Sequence, residues 1–159
     1  MKKIKFLNVF IILLIVIYIV HFIGNVYITF FTNFLQPSDS DFYKNFIFGY
    51  YTQFVGLIFS IITFIGLLFI KNGLSVIIKE DIFNFKSSIK FKTAGKLLLL
   101  SGFLSLIFSM TLFYSSQEIT LLAEIGRDFL LMVIGFSLYI VADILQNGSL
   151  LRQENELTI

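Results

Sequence analysis

The chain has 159 residues, of which 57% are hydrophobic and only 14% charged, with a formal net charge of +2 and a mean hydropathy of +0.91. A soluble domain of this length could not bury so much apolar surface, so lipid is the expected solvent. The absence of cysteine excludes disulfide frameworks, thiolate metal sites and dithiol redox chemistry, and the small net charge without a dense basic arm argues against direct nucleic-acid binding.

Phe6–Phe31 contains 26 residues without Asp, Glu, Lys or Arg, more than the roughly 20 an α-helix needs to cross about 30 Å of hydrocarbon. The first helix is expected at 4–31. Its basic start resembles a signal peptide, but the apolar run exceeds the usual ~7–15 residues and no small-residue cleavage pattern follows, so it is read as an uncleaved span. The connection TNFLQPSDSDFYK holds the only proline and several turn-forming residues, as expected of an ordinary loop.

A second charge-free stretch of 26 residues, Asn45–Ile70, places helix two at 46–72. Gly49, Gln53, Gly56, Ser60 and Thr63 share a similar face. The segment 71–96 carries six lysines interleaved with Phe83, Phe85, Ile89 and Phe91. It is expected to be a basic cytoplasmic loop, either solvated or lying on a membrane surface with its aromatics inserted. Helix three, expected at 94–115, rests on the 21 charge-free residues Leu97–Gln117. There Ser101, Ser105 and Ser109 recur at i,i+4 beside Gly102, as in membrane helices that approach closely.

Helix four is less direct, because Asp128 and Asp143 leave only 14 uncharged residues between them, about 21 Å of helix. Apolar sequence continues on both sides, so a membrane-length helix at 122–147 must carry one or both acids at or inside its ends. Glu124 and Arg127 at i,i+3 offset part of that charge. A tail, 148–159, follows.

Ten of the twelve Lys and Arg residues fall on one side of this four-span layout, leaving only Lys44 and Arg127 on the other. The expected fold is therefore an all-α integral membrane four-helix bundle forming a single domain over 1–159, with N-terminus and C-terminus cytoplasmic.

The long basic segment between spans two and three, and above all the ending, resemble the YoaS-like family of bacterial membrane proteins, domain of unknown function 2975. In that family a Gly-containing segment leads to a tail close to L-x-x-E-N-x-L-T-hydrophobic. Gly148, Leu151, Glu154, Asn155, Leu157, Thr158 and Ile159 stand in those places. Where the family often has a glycine a few residues before the loop phenylalanine, this chain has Glu80. The resemblance implies a bacterial inner-membrane protein without an assigned reaction, often encoded beside a small helix-turn-helix regulator. Expected partners are thus the lipid bilayer, such a regulator and a second copy of the chain. The tail residues Leu151, Glu154, Asn155, Leu157 and Thr158 are either a cytoplasmic docking element or simply pack on the protein's own helices.

No phosphate-binding loop, zinc-protease or hydrolase motif occurs, and His21 is the only histidine. No enzymatic activity, cofactor or metal is expected. One polar constellation stands out. Counting from Leu7, His21 lies about 21 Å and Asn25 about 27 Å along helix one, at a depth that Gln53, Ser109 and Asp128 also reach. His21, Asn25, Gln53 and Asp128 are either an outward-facing polar cluster or ordinary interhelical hydrogen-bonding groups. A non-enzymatic sensing or interaction protein is the expected function, with a small transporter or efflux subunit as the alternative.

Overall fold

A computed structural model describes residues 2–31, 52–116 and 119–156. Four helices account for nearly all of them: α1 Lys2–Phe31, α2 Thr52–Lys79, α3 Phe85–Ser116 and α4 Thr120–Glu156. At 1.5 Å per residue these are about 42 to 55 Å long, and each contains a stretch long and apolar enough to cross a membrane. Large side chains such as Phe10, Ile23, Phe103, Val133 and Phe136 face outward, as lipid permits and water would not.

The helices pack in succession and antiparallel, α1 on α2, α2 on α3 and α3 on α4. Among the described residues no other pair brings backbones within 8 Å. The bundle is therefore an open row. In its centre, 39% of the α3 span is buried, whereas at the edge only 6% of the α1 span is.

Residues spaced by seven hold the row together. On α3, Ser88, Gly95, Gly102 and Ser109 form one buried stripe. On α4, Leu121, Asp128, Gly135, Ala142 and Ser149 form another. A seven-residue repeat keeps a seam between two gently supercoiled helices along their whole length. Small residues on that seam bring the backbones together: a methyl group on Gly95 would stand 2.8 Å from the Gly135 carbonyl oxygen, and one on Gly135 2.8 Å from the Leu99 nitrogen. Across the other interface, α3 presents the knobs Phe91 and Leu98, again seven apart, to hollows at Gly73 and Gly66 of α2. Without a hydrophobic driving force between helices in lipid, such close van der Waals contact is what makes them associate.

Two of the expected boundaries are corrected. The segment 71–96 is not a loop, since α2 runs on to Lys79 and α3 begins at Phe85, leaving only 80–84 as the connection. Likewise α4 continues through Glu156, so most of the expected tail is helix. Charge marks the end of an apolar stretch and not the end of a helix, whose backbone hydrogen bonds continue through a lysine. No proline interrupts 71–96, so both helices run on past the ends of their charge-free stretches, with Lys79, Lys86 and Lys96 exposed. Around this projection Ile70, Leu74, Ile77, Phe91, Ala94, Leu98, Ala142 and Leu145 form the main core, with Ile11 of α1 joining it. Phe91 is thus a core residue, whereas Phe83, Phe85 and Ile89 remain exposed.

Replacing Gly95 or Gly135 by Ala forces backbone to move, and the expected cost is about 1–3 kcal/mol. Gly126→Ala meets nothing within 4 Å and should be neutral or stabilising by up to ~1 kcal/mol. Thermal melts of helicity in detergent micelles check the contrast; equal behaviour of the three variants would show that the seam does not hold α3 to α4.

Candidate functional site

The α3 serines divide their hydrogen bonds between two neighbours. Ser101 donates to the Phe59 carbonyl of α2 at 2.9 Å and lies 2.7 Å from the Thr63 hydroxyl, which itself reaches the same carbonyl at 3.0 Å. One and two turns further on, Ser105 and Ser109 donate to opposite oxygens of Asp128, each at 2.9 Å. Residues at i,i+4 lie one above the other on a helix face, so Ser105 and Ser109 bracket one carboxylate.

Asp128 is 1% exposed, a position where an unpartnered carboxylate would be prohibitive. Its register explains the burial. It occupies one of the seven-spaced small-residue positions of α4, opposite Gly102, where an added methyl would stand 3.1 Å from the Asp128 carbonyl oxygen. The close approach that glycine allows lets two short serine side chains span the gap. Arg127 adds a cation 3.6 Å from Oδ1 while its own side chain stays largely exposed and also approaches Glu124 at 4.0 Å. Two hydroxyl donors and a nearby guanidinium make this a preorganised seat for a negative charge within a membrane helix.

His21 is placed elsewhere. It is exposed on α1, which among the described residues approaches only α2, while Tyr18 one turn before it stacks on Phe64 of α2 at 6.4 Å. The fold therefore does not bring His21 to Asp128. The side chains of Asn25 and Gln53 lie outside the described residues. Equal depth placed Ser109 level with Asp128, but the contact itself, Ser105 as second donor and the Gly95–Gly135 seam were not read from the sequence. Their signal was the seven-residue spacing.

At the lysine-rich end, the 80–84 connection is tied down at both sides. Asn84 caps α3, its Oδ1 accepting from the Lys86 amide at 2.8 Å. Glu80 accepts from the Asn84 side chain and pairs with Lys86 at 3.5 Å. A side-chain network thus shapes the turn. Phe83 then lies over Gly148 of α4, and Asp81 pairs with Arg152. Deeper, Asp143 meets Lys92 at 3.4 Å, so the acid that shortened the fourth apolar stretch is met by a basic partner. Of the expected docking residues, Leu151, Glu154 and Asn155 are exposed on the last turns of α4. Leu157 and Thr158 lie outside the described residues.

These elements define a multi-pass helical membrane protein, and among the described residues no cluster of His, Asp or Glu suited to a metal ion occurs. The family described as protein of unknown function (DUF2975) matches residues 48–159, more than two thirds of the chain. The chain belongs to that family. The match spans α2, α3 and α4 and leaves out α1, the helix at the edge of the row. No curated protein and no solved structure matches.

Two measurements probe the site. In a double-mutant cycle, Asp128→Ala with Ser105→Ala should show a coupling of about 0.5–2 kcal/mol in unfolding free energy, because each change removes the bond from the Ser105 hydroxyl to the Asp128 carboxylate. A coupling of zero would mean that the serine does not hold the acid.

The second concerns pH. The Arg152 hydrogen bond and charge hold the Asp81 carboxyl below its ordinary value of 3.8. A depressed folded-state value stabilises the contact above the ordinary value, and that contribution is lost as pH falls through the folded-state one. Amide exchange in 80–84, corrected for its intrinsic pH dependence, should therefore lose protection only below about pH 4. Asp81→Asn should remove the transition.

Proposed function

We propose that this protein is a non-enzymatic membrane protein that senses or interacts through its lysine-rich face, in partnership with a cytoplasmic regulator, in a bacterial inner membrane. The observation that carries the reading is the projection of α2, α3 and α4 beyond their charge-free stretches. It ends in an α4 whose last turns present Leu150 at 46% and Leu151 at 62% exposure beside a loop pinned by Asp81–Arg152 and Phe83–Gly148. Exposed leucines on a helix that has left the lipid suit an interface with another protein. The lysine asymmetry supports a cytoplasmic position for that face. A regulator of the small helix-turn-helix type is the partner that the family resemblance favours, and a second copy of the chain would fit the same exposed turns.

The buried Asp128 favours a second reading, a small transporter or efflux subunit, since ionisable groups inside membrane helices commonly mark ion pathways. Its seat between Ser105 and Ser109 equally suits a structural clasp. The first reading draws on more of the molecule.

Orientation is tested by single cysteines and an impermeant maleimide. Lys86→Cys, whose native side chain is 72% exposed, is paired with Ser38→Cys. Residue 38 should react in intact cells and residue 86 only after permeabilisation; the reverse overturns the orientation. Deleting residues 153–159 should leave the protein inserted while weakening capture of its cytoplasmic partner at least several-fold. Undiminished capture would remove the docking role.

A further inference from the structure

Along the α3–α4 seam a groove of about 440 Å³ opens on the outer surface, lined by Lys96, Leu99, Leu100, Phe136 and Tyr139. Its shape follows from the seam. Because Gly95 has no side chain, the Tyr139 ring packs directly against α3, where an added methyl would stand 3.1 Å from its Cδ2. The larger Leu99, Leu100 and Phe136 flank this close approach and leave a shallow, open apolar groove.

Lys96 lines that groove. The next 20 residues of α3, Leu97–Ser116, carry no charge and span about 30 Å, the thickness of the hydrocarbon. Lys96 is therefore at the edge between acyl chains and headgroups. Lys92, one turn away on the same face, is already engaged, with its Nζ 3.4 Å from Asp143 Oδ1 and 5.7 Å from the centre of the Tyr139 ring. Lys96, in contrast, has no carboxylate partner among the described residues. An ammonium held at the hydrocarbon edge beside an apolar groove matches the two halves of one molecule: an acidic headgroup and its acyl chain.

We propose that this groove binds one anionic phospholipid, its phosphate on the Lys96 ammonium and an acyl chain along Leu99, Leu100 and Phe136. The assignment rests on the position of Lys96 and holds whichever end faces the cytoplasm.

The test is native mass spectrometry of the delipidated full chain in maltoside micelles, titrated with phosphatidylglycerol or phosphatidylcholine of the same acyl composition. Wild type should take up one equivalent of phosphatidylglycerol with about fivefold preference, the size expected of one lysine facing an acidic headgroup. Lys96→Gln should abolish the preference and Lys96→Arg retain it. Lys3→Gln, a charge-matched change on α1, should leave it intact. Phe136→Ala should weaken both lipids alike by removing groove wall, and inorganic phosphate should not displace the bound lipid. Circular dichroism of each variant should match wild type, as an exposed Lys→Gln change requires. Equal binding of the two lipids, equal loss with Lys3→Gln, or displacement by phosphate would each overturn the proposal. So would a dimer that takes up no phosphatidylglycerol, because a second copy would then fill the groove.

Discussion

Everything in this molecule depends on how closely α3 can approach its two neighbours. In lipid, burying a leucine against another helix gains little, since the acyl chains it leaves are equally apolar. Association must come from backbone-to-backbone contact and from hydrogen bonds that lipid cannot offer. The stripes of Ser88, Gly95, Gly102 and Ser109 on α3 and of Asp128, Gly135, Ala142 and Ser149 on α4 supply the first. They also make the second possible. A serine hydroxyl reaches only a few ångströms, and Ser105 and Ser109 meet Asp128 because the glycines beside them have closed the gap.

The same constraint explains the open row. α1 has no comparable run of small residues facing a partner. Methyl groups on Gly24, or on Gly56 of α2, would meet nothing within 4 Å. It therefore joins the bundle only through α2, with Tyr18 on Phe64 and Ile11 in the shared core. The family match begins after this helix and covers α2, α3 and α4. Beyond the lipid, the balance of forces changes. There the apolar effect operates again, and the larger core of Ile70, Leu74, Ile77, Phe91 and Leu145 sits towards that end.

Charge pairs complete the lysine-rich end without adding much stability of their own, because most are exposed and screened. Their role is geometric. Glu80 and Asn84 set the turn, Asp81–Arg152 and Phe83–Gly148 fix that turn against α4, and Lys92–Asp143 aligns α3 with α4 one layer deeper. With Lys92 occupied in this way, Lys96 is left facing the groove.

Composition and the spacing of charges were sufficient to determine that this is a four-span, all-helical membrane protein, because transfer into lipid depends on the solvent preference of consecutive residues, a one-dimensional property. The sequence also placed Ser109 and Asp128 at one depth, since rise per residue is constant. It could not say that 71–79 and 85–96 are helix, because charge marks where lipid ends and not where hydrogen bonding ends. Nor could it separate His21 from Asp128: equal depth is necessary for contact, but which helices are neighbours depends on the register of small residues across two chain segments. Only the tertiary structure decided that Asp128 is clasped by Ser105 and Ser109, that Glu80 shapes the turn, and that α1 stands at the edge. Those outcomes are fixed by fits of a few tenths of an ångström between residues far apart in the chain.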